Sequence, residues 1–153
     1  MFQAVTGEAD CDSPADTRDN GRQFGRFFPG KPTDYPSLIL LSGSLGAGKT
    51  LWAGGFADGL GMDVEVHSPS FTLLNIYRDK KMILNHFDIY RLNCFEEIFD
   101  IGLMEILEEK NPCIIEWADR IPDLLRLDHL AITFSITETD RRKLKWRVVR
   151  KPE

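Results

Sequence analysis

The chain has 153 residues, 42% of them hydrophobic and 28% charged, with a net charge of −5 at pH 7. That length supports one core and little more, and no apolar run approaches the ~18 residues of a membrane-spanning helix. An acidic chain lacks the concentrated positive surface needed to grip nucleic acid unaided, and Cys11, Cys94 and Cys113, without CxxC spacing, suggest neither a disulfide frame nor a zinc site.

Met1 to Asp12 is polar and acidic and reads as a disordered tail ahead of one domain over 13–153. It lacks the basic start and apolar stretch of a secretory signal, which predicts a cytoplasmic protein. Ser13-Pro14 reads as a helix N-cap followed by proline at the first helical position, with Phe24, Phe27 and Phe28 along one side and a stop near Pro29-Gly30. A proline-rich linker, Lys31 to Ser37, leads to a first core strand, Leu38 to Ser42.

Gly43-Ser44-Leu45-Gly46-Ala47-Gly48-Lys49-Thr50 is a complete phosphate-binding loop between that strand and a helix running from Lys49 to about Gly59. Glycine leaves the backbone free to curl its N–H groups around phosphate oxygens, with the positive end of the helix dipole behind them. In this motif the lysine reaches the β- and γ-phosphates of a nucleotide and the threonine hydroxyl meets Mg²⁺. Gly54 and Gly55 inside the helix each cost ~1 kcal/mol relative to alanine, which predicts a close approach to the sheet.

Downstream, Phe71 to Tyr77 and Met82 to His86 flank the turn-like Arg78 to Lys81 and predict a hairpin. Phe95 to Phe99 and Leu103 to Lys110 read as helices broken near Gly102, and Cys113-Ile114-Ile115 as a central parallel strand with Cys113 a small core residue. A loop or short helix around Pro122 to Arg126 precedes a strand from Leu130 to Thr137. Arg141, Arg142, Lys143, Lys145, Arg147, Arg150 and Lys151 hold seven of the 19 basic residues. There Leu144, Trp146 and Val148 alternate with Lys143, Lys145 and Arg147, the pattern either of a solvated edge strand or of a contact surface for RNA or an acidic partner. The sum is a small three-layer α/β P-loop NTPase domain with a mostly parallel central sheet and its site at the carboxyl ends of the strands.

Two acids are candidates to complete that site. Glu116 directly follows the strand Cys113 to Ile115, and Asp88 ends the hairpin strand; both positions suit metal or catalytic duty, and also a plain solvated charge or helix cap. The turn Ser68-Pro69-Ser70-Phe71-Thr72 offers three hydroxyls, either as a γ-phosphate sensor or as an ordinary entry to a strand. Trp117 reads as packing, and His67, His86 and His129 lack metal spacing. Arg91 and Arg141/Arg142 are weak candidates for a charge-stabilising finger. No Asn-Lys-x-Asp guanine-reading motif occurs, which favours ATP over GTP.

In order and spacing, the phosphate loop, Ser68-Pro69-Ser70-Phe71-Thr72-Leu73, His86-Phe87-Asp88-Ile89-Tyr90-Arg91-Leu92 and Ile115-Glu116-Trp117 resemble the bacterial TsaE family, formerly YjeE. The resemblance covers about Asp16 to Val149. It implies an ATPase required for threonylcarbamoylation of adenosine 37 in tRNAs that read codons beginning with A. It further implies Thr50 and Glu116 as Mg²⁺ ligands, Lys49 as phosphate clamp, Asp88 in hydrolysis and Ser70/Thr72 as a nucleotide-responsive switch. The implied partner is the TsaB–TsaD complex, with tRNA met only indirectly or through the basic carboxyl-terminal strand. Two positions depart from the family: Ser44 stands where an acid is common, and Leu51 where a second threonine is usual. The alternatives weighed are a small-molecule kinase, with Asp119 to Arg126 as its lid, and a nucleotide-gated binding module without obligatory hydrolysis.

Overall fold

The computed structural model describes residues 6–28, 35–80 and 82–152. Its organising element is strand β2 (Leu38–Gly43), in which Leu38, Ile39, Leu40 and Leu41 are all buried. Successive strand side chains point to opposite faces, so a run buried throughout needs cover on both. Ile39 and Leu41 join one core with Phe24, Trp52 and Phe56, while Leu38 and Leu40 join a second with Phe87, Ile98, Leu103 and Leu124. The first core lies under α1 (Pro14–Gly25) and α2 (Lys49–Gly59), the second under α3 (Phe95–Asp100), α4 (Leu103–Glu108) and 3₁₀ turns at Ala118–Arg120 and Pro122–Arg126.

Seven strands form one sheet. With β1 (Thr6–Cys11), β3 (Leu74–Asp79), β4 (Met82–Asp88), β5 (Cys113–Glu116), β6 (His129–Ile136) and β7 (Arg142–Val149), the order is β1-β7-β6-β2-β5-β4-β3. The ladders β4–β5, β5–β2 and β2–β6 are parallel, and β3–β4, β6–β7 and β7–β1 antiparallel. The sheet is therefore mixed rather than mostly parallel. Parallel neighbours need a long crossover, and the connections β3 to β4 and β6 to β7 are too short for one.

The expectation of a disordered tail over Met1 to Asp12 is corrected by β1; residues 1–5 lie outside the described set. Glu8 and Asp10 stand opposite Lys145 and Lys143, and the Lys143 ammonium lies 3.9 Å from Glu8 and 3.8 Å from Asp10. Opposite-charge pairs across strands contribute roughly 0.2–1 kcal/mol each. The basic strand β7 is thus interior, and the edge is the acidic β1. On the other face Leu144 and Trp146 enter the core, and Gly7 leaves room for the Trp146 indole, since a Cβ there would lie 2.6 Å from the ring.

Ser13 caps α1 by accepting from the Asp16 amide at 3.2 Å. The helix ends at Gly25; the expected stop at Pro29-Gly30 and linker residues 31–34 lie outside the described residues, as does Lys81 of the hairpin turn. The helix glycines do meet a close neighbour, but it is α1 and not the sheet. Cβ atoms on Gly21 and Gly25 would lie 2.2 Å from the carbonyl oxygens of Trp52 and Phe56, and on Gly55 and Gly59 1.9 and 2.1 Å from those of Arg18 and Arg22. Pairs of glycines four apart on each helix bring the two backbones into direct contact and fix the helix that carries Lys49 and Thr50. Cys113 is buried in the second core, and burial pushes its thiol pKa far up.

Candidate functional site

The loop leaves β2 at Gly43 and enters α2 at Lys49. Gly43, Gly46 and Gly48 have φ of 147°, 79° and 104°, where L side chains are strained, and a Cβ on Gly43 would sit 2.6 Å from the Phe134 carbonyl oxygen. Ala47 is buried in the first core and anchors the loop from beneath. No side chain caps α2 and its first turn holds no acid, so its leading N–H groups face the loop's concavity. Outside the loop, Arg142 donates to the Gly46 carbonyl oxygen at 3.1 Å and to Asp140 Oδ1 at 3.2 Å. That contact holds a carbonyl outward, as a cradle of inward amides requires. Arg142→Gln should therefore speed amide hydrogen exchange at residues 46–48 while leaving β2 protected, as read by exchange mass spectrometry.

The Lys49 ammonium donates to the carbonyl oxygens of Gly43 at 2.6 Å and Ser44 at 2.9 Å, and lies 3.9 Å above the centre of the Trp117 ring. Burial pushes its pKa down, opposed by the charges of Glu116, Asp119 and Asp88. Thr50 Oγ1 donates to the buried Glu116 carboxylate at 3.1 and 2.9 Å, and His86 Nε2 lies 2.5 Å from Glu116 Oε2. Parallel register sets Asp88 beside Glu116 on neighbouring strand ends. Asp88 accepts from the Tyr90 amide at 2.9 Å and from Ser70 Oγ at 3.2 Å, and Arg91 donates to the Ser70 carbonyl oxygen at 2.5 Å.

These groups line a cleft of about 230 Å³ walled by Leu45, Gly46, Gly48, Lys49, Thr50, Leu51, Ser68, Ser70, Asp88, Glu116 and Trp117. Ser70 thus reaches the site with Asp88. Thr72 does not: its hydroxyl donates to Asn75 Oδ1 at 2.8 Å, because Leu73, at φ 68°, turns the chain into β3. Trp117 is more than packing. Its φ of 65°, a left-handed conformation that costs a bulky residue ~1–3 kcal/mol, ends β5 abruptly and lays the indole between Lys49 and Tyr90, whose ring centre is 4.8 Å away. Of the arginines singled out, Arg91 lines an adjoining cavity with Asp88, Arg141 pairs with Asp12 at 3.6 Å, and Arg142 stays outside the loop. His86 was missed as a site residue. A period-two reading of Leu84, His86 and Asp88 would have put it on Asp88's face of the strand.

A glycine loop of this form, between a central parallel strand and an uncapped helix and opposed by carboxylates on the next two strands, places the protein in the P-loop NTPase class by fold and site layout. The family described as threonylcarbamoyl adenosine biosynthesis protein TsaE matches residues 11–144. The chain belongs to the TsaE family, whose members take part in tRNA threonylcarbamoyladenosine biosynthesis. It is 39% identical over 107 residues to the tRNA threonylcarbamoyladenosine biosynthesis protein TsaE of Treponema pallidum, covering 70% of this chain and 77% of that one. To the protein of the same description from Bacillus subtilis it is 38% identical over 119 residues, covering 78% and 72%. A crystal structure of Bacillus subtilis YdiB superposes with a TM-score of 0.74 at 29% identity, over 97% of this chain and 89% of that one.

Proposed function

We propose that the protein binds Mg²⁺-ATP in this cleft, hydrolyses it slowly, and thereby acts on the TsaB–TsaD complex that modifies adenosine 37 of tRNA. The observation that carries this reading is the Thr50 hydroxyl donating to Glu116 at the mouth of the glycine loop, beside Lys49. A hydroxyl and a carboxylate are hard oxygen donors, and Mg²⁺ is commonly held through one or two such groups together with substrate phosphates. The three left-handed glycines give the loop a backbone that side chains would strain, and a Cβ on Gly43 or Gly48 would run into Phe134 or Thr17. Residues and ligand therefore fit.

Each residue has a stated task. Loop amides and the α2 N-terminus hold phosphate oxygens, and Lys49 exchanges its two loop carbonyls for the β- and γ-phosphates. Thr50 and Glu116 hold Mg²⁺, which when bound neutralises charge on the phosphate oxygens. Asp88, fixed by the Tyr90 amide and Ser70, orients the attacking water and takes up its proton. Ser70 carries the γ-phosphate response into its turn. Slow turnover follows because no arginine is among the described residues that line the cleft, and an arginine finger is worth about 10³ to 10⁵ in rate.

A partner that closes the site is supported by its rim. Leu45, Phe71 and Tyr90 are 84%, 92% and 53% exposed, and each lines the cavity beside Asp88. Direct tRNA binding through β7 is less favoured, because β1 sets carboxylates against its lysines. No helix among the described residues is long and apolar enough to cross a membrane, and a role in tRNA modification agrees with a cytoplasmic site of action. The kinase alternative needs a mobile lid, and Ile121 and Leu124 tie its lid segment into the second core.

Calorimetric titration of folded protein with Mg²⁺-ATP tests the proposal; absence of heat and saturation refutes it. Glu116→Gln should weaken Mg²⁺-nucleotide binding more than Mg²⁺-free binding. Equal weakening of both would remove Glu116 from the metal site.

A further inference from the structure

We infer that His86 is a positioning residue for the metal: it holds the Glu116 carboxylate by a second hydrogen bond so that Thr50 and the cation meet it in a fixed orientation. This rests on the reading of Thr50 and Glu116 as the Mg²⁺ ligands. His86 is fully buried in β4, and its Nε2 lies 2.5 Å from Glu116 Oε2. Its Nδ1 has no hydrogen-bond partner among the described residues. Leu84, two residues earlier on the same strand face, is a buried core residue, so an aliphatic side chain suits this face and would strand no ring nitrogen. What an aliphatic group could not do is donate to Glu116.

That donation matters because of how few groups hold the carboxylate. The Thr50 hydroxyl shares its proton between both Glu116 oxygens, at 3.1 and 2.9 Å, and must keep its lone pairs free for a cation. A hydroxyl contact alone leaves the carboxylate plane free to turn about its last bond. The imidazole N–H, delivered by a strand in register with β5, supplies the second fixed point. As the donor in this contact, His86 sets the orientation of Glu116. Hydrogen-bond partners of metal-ligating carboxylates typically contribute roughly 10- to 100-fold to metal affinity.

The test compares binding of a fluorescent N-methylanthraniloyl-ADP probe with and without Mg²⁺ in the wild type, H86L, H86Q and E116Q, each first checked for folding by circular dichroism. We expect H86L to lose roughly tenfold or more of the Mg²⁺-dependent gain in affinity with Mg²⁺-free binding unchanged. H86Q, whose amide reaches about as far as Nε2, should recover most of the gain. Titration of the ADP complexes with Mn²⁺, followed by electron paramagnetic resonance, should show the same order. If H86L does not fold, H86N replaces it, since its amide is too short to reach Glu116. A wild-type gain in H86L or H86N beside a reduced gain in E116Q overturns the inference alone. A wild-type gain in E116Q overturns the metal assignment and the inference with it.

Discussion

A Lys49→Ala variant is expected to bind ATP at least about 100-fold more weakly than the wild type and to lose hydrolysis. The lysine is committed to the site by its surroundings: its ammonium donates to two loop carbonyls and lies over the Trp117 face, and the charges of Glu116, Asp119 and Asp88 favour its charged form. Charge-assisted contacts to phosphate are worth ~1.5–3 kcal/mol each, and two of them correspond to about 10² to 10⁴ in affinity. Melting temperature measured alongside separates loss of binding from loss of fold. Unchanged affinity and turnover would refute the assignment of Lys49.

Gly55→Ala is expected to destabilise the fold by about 2–4 kcal/mol, lowering the melting temperature by roughly 5–15 °C in a chain of 153 residues. The added methyl would lie 1.9 Å from the Arg18 carbonyl oxygen, a backbone atom that cannot move without separating α1 from α2. Alanine's higher helix propensity, worth ~1 kcal/mol, works in the opposite direction and is too small to offset the clash. Gly54→Ala is the internal control. Its methyl would meet the far end of the Arg18 side chain at 2.9 Å, which can swing aside, so the propensity gain should leave that variant close to wild type. Thermal denaturation decides between them, and equal melting points for the two variants would show that the helices have room to spare.

The parts of the fold legible in the sequence were those written in long apolar runs or in backbone chemistry that few residues can supply. Leu38 to Leu41, the glycine loop, and Cys113 to Ile115 followed by Glu116 each carry their reason locally. The strand Thr6–Cys11 was illegible for the opposite reason. Its inward residues are Gly7, Ala9 and Cys11, too small to register as a hydrophobic pattern, and its outward acids matter only because β7 lies opposite. The mixed sheet followed the same logic, since strand direction depends on which connections are long enough to cross over.

Within the site, side chains at strand ends were easier to place than those that act through another residue. Asp88 and Glu116 stand where a parallel ladder delivers them. Arg142 reaches Gly46 across 96 positions of sequence, and no local pattern encodes such a contact. Thr72 shares a hydroxyl-bearing turn with Ser70 yet lies away from the cleft, because the left-handed Leu73 diverts the chain and a leucine gives no turn signal.

The ladder between β1 and β7 joins Thr6 to Arg147 and so closes a long loop. During synthesis β1 must wait for β7 before it can be seated, and loop closure of that length is slow. Until β7 is released, β6 remains an open border of the sheet, and Gly7 has no indole to lie against. The interval between those two events is when a nascent chain of this protein is most exposed to pairing with a neighbour.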